Sequence, residues 1–147
     1  MGSYLNPGSK GFQESLNSEI YMDKTGLIEK TNAVLNTRQK FLCVSRPRRF
    51  GKSMAADMLA AYYERGEDSS SLFASLKISG AASYHVHLNQ YDVIKVNMQE
   101  FLSMTHDMDD MLDMLQKYLV FDLVEHFEDI RFRDENNLIQ VMKDIYA

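Results

Sequence analysis

The chain has 147 residues, 45% of them apolar and 25% charged, which is the size and balance of one domain able to bury a core. Its net charge of −5 argues against generic attraction to nucleic acid or to an anionic membrane, and no apolar run approaches the roughly eighteen residues needed to cross a bilayer. The first residues lack the basic-then-apolar order of a signal peptide and the single Cys43 excludes an internal disulfide framework, so a cytoplasmic location is expected.

In chain order, residues 1–10, with Asn6-Pro7-Gly8-Ser9, read as turn and loop. Ile20-Tyr21-Met22 reads as a short extended piece, after which Asp23 caps a helix carrying Leu27, Ile28, Val34 and Leu35 on one side. Residues 41–44 (Phe-Leu-Cys-Val) read as a buried strand in which Cys43 is a small core residue. Past a loop of Pro, Arg and Gly, Lys52 opens a helix that buries Ala55, Met58, Leu59, Tyr62 and Tyr63 and stops at Gly66. Leu72, Phe73, Leu76 and Ile78 form a small apolar staple, residues 80–83 a loop, and His85 and His87 read as surface histidines without a ligand partner at metal-binding spacing. Val93, Ile94 and Val96 make residues 92–96 a second buried strand, ending at Asn97. A helix is expected over residues 104–127, with Met108, Met111, Leu112, Leu115, Leu119, Leu123 and Phe127 on one stripe and Asp107, Asp109, Asp110 and Asp113 opposite. A last amphipathic helix within residues 134–146 carries Leu138, Val141, Met142 and Ile145 inward.

The chemistry concentrates between the first strand and the helix after it. Strand, glycine-containing loop, helix is the order in which a phosphate-binding loop works, because the unpaired N–H groups opening the helix point at the loop and donate to an anion held there. Gly51 lets the backbone approach the phosphates, Lys52 sets an ammonium on their outer oxygens, and the Ser53 hydroxyl completes the shell of a Mg²⁺ ion. Against the pattern G-x-x-x-x-G-K-[ST] the first glycine position is Arg46, so the loop is a variant. Arg46, Arg48, Arg49 and Lys52 crowd positive charge into seven positions, a distribution suited to a small polyanion more than to a long duplex.

RPRRFGKS after a short apolar strand resembles the variant loop of the predicted AAA-ATPase-like family, large bacterial proteins. Residues 11–32 resemble that family's N-terminal region, with Tyr21-Met22-Asp23-Lys24-Thr25 standing at its Tyr-x-Asp-Lys-Thr motif, and residues 91–101 resemble its second strand. The resemblance implies an α/β P-loop domain binding ATP with Mg²⁺. Its phosphate site would be Arg46, Arg48, Arg49, Phe50, Gly51, Lys52 and Ser53, with Asp23, Lys24 and Thr25 near the nucleotide. The family's Mg²⁺-holding aspartate and the glutamate after it lie on a later strand that this chain is read as not reaching, which leaves hydrolysis by the chain alone doubtful.

The expected architecture is the N-terminal portion of an AAA-like P-loop domain, a few parallel strands flanked by helices in an incomplete sheet. Residues 1–40 form its N-terminal segment, 41–65 the strand, loop and helix, and 66–147 the second strand and further helices. Two parallel strands expose unpaired edges, so self-association or a missing C-terminal portion is expected to complete them. The leading reading is a nucleotide-binding module. The alternative is a non-enzymatic fragment that binds a protein or nucleic-acid partner through the basic loop and the Met-rich helix, and a phosphoryl transferase ranks last.

Overall fold

The computed structural model describes residues 3–18, 20–45 and 52–147, with Lys52 described by its backbone alone. The expected loop residues Arg46, Arg48, Arg49, Phe50 and Gly51 therefore lie outside the described residues. Helices form α1 (Lys10–Leu16), α2 (Gly26–Val34), α3 (Lys52–Tyr63), α4 (Ser70–Phe73), α5 (Tyr84–His87), α6 (Met98–Met104), α7 (Met108–His126) and α8 (Leu138–Tyr146), with a 3₁₀ turn at Lys77–Gly80.

The α/β expectation is overturned: helix accounts for 54% of the described residues, and no strand or sheet occurs among them. Residues 41–45 have no regular secondary structure, with Phe41 85%, Leu42 52% and Val44 46% exposed. Cys43 is exposed too, contrary to its expected core position. Of the second expected strand, what remains is one isolated antiparallel bridge between Ile94 and Leu5, and just before it Tyr91 makes an isolated parallel bridge with Glu64. The cause is local. β-branched and apolar residues make a segment competent to pair, but a ladder needs a neighbour along its length, and neither segment has one among the described residues.

The chain divides into two compact units, Gly8–Val93 and residues 3–7 with Ile94–Ala147. In the first, Phe12 of α1, Ile28 of α2, Met58, Ala61 and Tyr62 of α3, Phe73 of α4, Ile78 and Tyr84 form one buried cluster. The Phe12 and Phe73 rings stack at 4.8 Å, and Tyr62 meets Phe73 edge-on at 5.6 Å. The Met58, Ala61, Tyr62 spacing is that of one helix face, which is why α3 is anchored over its second half. Gly11 lies where α1 meets α3, and a Cβ there would come within 2.8 Å of the Asp57 carboxylate, which would have to shift.

The second unit packs α7 against α6 and α8. The single helix expected over residues 104–127 is broken: α6 ends at Met104, and Asp107 in extended geometry caps α7 by accepting from the Asp110 N–H at 2.8 Å. Aspartate at that position competes for the backbone and starts a helix better than it continues one. The buried face is correspondingly rotated from the expected stripe. Met111, Leu119, Val120, Asp122 and Leu123 are buried, whereas Met108 and Leu112 are exposed. α8 follows its expected pattern, with Val141 fully buried beside Leu138 and Ile145, although Met142 is 47% exposed.

Candidate functional site

The segment that carries the expected phosphate chemistry ends where α3 begins. Lys52 is its first residue and Ser53 and Met54, in the first turn, are exposed. That first turn holds no acidic side chain, so the positive end of the helix dipole is not neutralised from within the helix. The opposite end is fixed. Tyr62 donates from its hydroxyl to the Tyr84 carbonyl at 2.7 Å, and Asn32 donates to the Tyr62 hydroxyl at 3.2 Å and to the Ser83 hydroxyl at 3.1 Å. Tyr63 donates to the Asn32 amide oxygen and shares a hydrogen bond with Thr31. Burial pushes the Tyr63 phenol up to about 12, so these hydroxyls act as hydrogen-bonding groups and carry no charge at neutral pH. A rigid C-terminal half and a solvent-facing N-terminal turn would suit a helix that presents backbone N–H groups to an anion. Lys52 and Ser53 are adjacent on it; the arginines and Gly51 expected beside them fall outside the described residues.

Asp23, Lys24 and Thr25 lead into α2, and the Asp23 and Thr25 side chains tie that entrance to the 3₁₀ turn. One Asp23 carboxylate oxygen accepts from the Thr25 N–H at 2.9 Å and from its hydroxyl at 2.6 Å, and the other accepts from the Lys77 N–H at 2.8 Å. The Thr25 hydroxyl oxygen in turn accepts from the Ile78 N–H at 3.1 Å. Burial by itself would raise the Asp23 pKa, but these hydrogen bonds outweigh it and hold the carboxyl below its ordinary value. The expected cap is thus displaced by two residues: Thr25 is the N-cap of α2, and Asp23 ties the α2 entrance to the 3₁₀ turn. Lys24 is exposed beside this knot.

Two carboxylates escaped the sequence reading. Glu64, just past α3, is fully buried; one of its oxygens accepts from the Gly8 N–H at 2.8 Å while the other has no hydrogen-bond partner among the described residues. Burial raises its pKa, the Gly8 hydrogen bond offsets part of the rise, and the charge of Glu67 adds to it. A charged residue flanking an amphipathic helix reads as solvated, so nothing in the local pattern marks it. Asp122 does follow four apolar or aromatic residues, Tyr118 to Phe121, the order in which a Mg²⁺-holding aspartate ends a strand. Here that run is helical. The Asp122 carboxylate accepts from the backbone N–H groups of Ser3 at 3.1 Å, Tyr4 at 2.8 Å and Leu5 at 2.8 Å, so both its oxygens are engaged in holding residues 3–5 on α7. No helix among the described residues is long and apolar enough to cross a membrane.

The model of the family described as predicted AAA-ATPase matches residues 8–147. No curated protein matches the chain, and no solved structure does.

Proposed function

The chain belongs to the predicted AAA-ATPase family, and on that premise we propose that it binds the phosphates of ATP with Mg²⁺ at the N-terminal end of α3. The observation that carries the reading is that Gly51-Lys52-Ser53 meets a twelve-residue helix starting at Lys52, with no acidic residue in its first turn. Lys52 contacts the outer phosphate oxygens, Ser53 joins the Mg²⁺ shell, Gly51 permits close backbone approach, and Arg46, Arg48, Arg49 and Phe50 complete the loop. Asp23 and Thr25 serve this site indirectly, by fixing the α2 entrance, and Lys24 is the exposed residue of that motif.

The proposal is one of binding. Asp122 ends the apolar run that could have supplied a Mg²⁺ carboxylate and is taken up by three N–H groups, so no hydrolytic step is assigned to it. Isothermal titration with Mg²⁺ and a non-hydrolysable ATP analogue tests the reading. Saturable binding that weakens about tenfold or more in Lys52→Ala, the loss of at least one charge-assisted contact worth about 1.5–3 kcal/mol, is the expected outcome. Equal affinity in the two proteins would remove Lys52 from the site.

A further inference from the structure

The outer face of α7 has a symmetry of residue type that its inner face lacks. Phe121 is 69% exposed, an unusual position for a phenylalanine in the middle of a packed helix. Four residues before it stands Lys117 and four after it Glu125; three before it Tyr118 and three after it Val124. At 100° per residue all five lie within about 60° of Phe121, so they make one continuous face. The same five residues form one side of a groove of about 690 Å³ that Val120, Glu135 and Asn136 also line. Tyr118, Phe121 and Glu125 also border a second groove of about 390 Å³, with Met104 and Tyr4 on its far wall. Tyr118 and Phe121 therefore form a ridge with a groove on either side.

We infer that α7 is a homotypic docking surface whose occupant is the α7 of a second copy of this chain, related by a two-fold axis at Phe121. Lys117, Phe121 and Glu125 form an i±4 row, and two such rows pack side by side when helices cross at about −50°, the ridge of one entering the groove of the other. A two-fold at Phe121 sets Phe121 beside its counterpart, Tyr118 beside the other copy's Val124, and Lys117 beside the other copy's Glu125 at both ends. The charges are complementary under that operation and under no parallel arrangement in the same register, where Lys117 would meet Lys117 and Glu125 would meet Glu125. Neither Lys117 nor Glu125 makes an ion pair among the described residues, so both are available to the second copy. A contact centred on about two helical turns lies at the small end of stable interfaces, and the dimer is accordingly weak and concentration-dependent.

Sedimentation velocity from about 1 to about 300 μM, the range suited to a small interface, tests this. The wild type shifts from 17.0 kDa toward twice that mass with concentration. Lys117→Glu and Glu125→Lys are each monomeric alone, because each places like charges opposite one another, and an equimolar mixture of the two recovers the dimer. Both positions are exposed, and unchanged circular dichroism shows that neither variant has unfolded. Phe121→Glu abolishes association in every combination. A wild type that stays at 17.0 kDa throughout overturns the inference and leaves the face to a different partner, and so does a dimer that persists in both charge variants or a mixture that fails to restore it.

Discussion

Glu64 shows how a single residue can set the pH response of a unit. Its carboxyl is fully buried with one oxygen unpartnered among the described residues, and burial raises its pKa above the ordinary 4.5. A group whose pKa is raised on folding favours the folded state while protonated; that contribution is complete below the unfolded value and is lost as pH rises through the folded one. Wild-type thermal stability is therefore expected to fall from about pH 5 upward, with a smaller slope in Glu64→Gln, as followed by melting temperature across pH 4–8. Asp23 acts with the opposite sign. Its pKa is lowered by the Thr25 and Lys77 hydrogen bonds, so its contribution is present above the ordinary carboxylate value and disappears as pH falls through the lowered one. Asp23→Asn flattens the acid limb of the same curve and leaves the alkaline side unchanged. Neither role was legible in the sequence. Asp23 was recognisable as a capping residue by type, but its partner Lys77 is 54 positions away and only the fold brings the two together.

Elements were legible to the extent that their periodicity was strong and their neighbours local. The outlines of α3 and α8 follow directly from apolar spacing, and Asn137 at the head of α8 accepts from the Gln140 N–H at 3.2 Å as its residue type suggests. The break between α6 and α7 was hidden, because apolar residues continue through it and only the capping tendency of Asp107 marks the new start. Residues 3–5 are the clearest case of an element defined from outside. They look like loop, yet their three N–H groups converge on the Asp122 carboxylate, and Lys95 donates from its N–H to the Tyr4 carbonyl at 2.9 Å. Asp122→Ala leaves three donors without their acceptor and should cost about 2–4 kcal/mol, measured by denaturant unfolding. Phe121→Ala, one position away but exposed, should stay within about 0.5 kcal/mol of the wild type in the monomer.

At the scale of the molecule, the family was legible and the sheet was not. RPRRFGKS and the Tyr-x-Asp-Lys-Thr motif are local strings, and the family match over residues 8–147 agrees with them. Residues 41–44 and 92–96 have strand composition, but pairing is a property of two segments at once; the described chain places Phe41 and Leu42 in solvent and gives Tyr91 and Ile94 single bridges. Hydrophobic pattern reports a tendency to be covered without saying by what. What the fold does supply is a helix, α3, held by buried Tyr62 at one end and opening at Lys52 at the other. The nucleotide proposed to bind there would couple to the stability of the unit built on that helix.

The most direct measurement is the melting temperature of the wild type and of Lys52→Ala with and without saturating Mg²⁺ and a non-hydrolysable ATP analogue. A ligand at about a hundred times its dissociation constant stabilises the protein it binds by about 2.7 kcal/mol. A clear upward shift in the wild type, lost in Lys52→Ala and absent when Mg²⁺ is given alone, is the result this account predicts. A wild type whose melting temperature is indifferent to the nucleotide would contradict it.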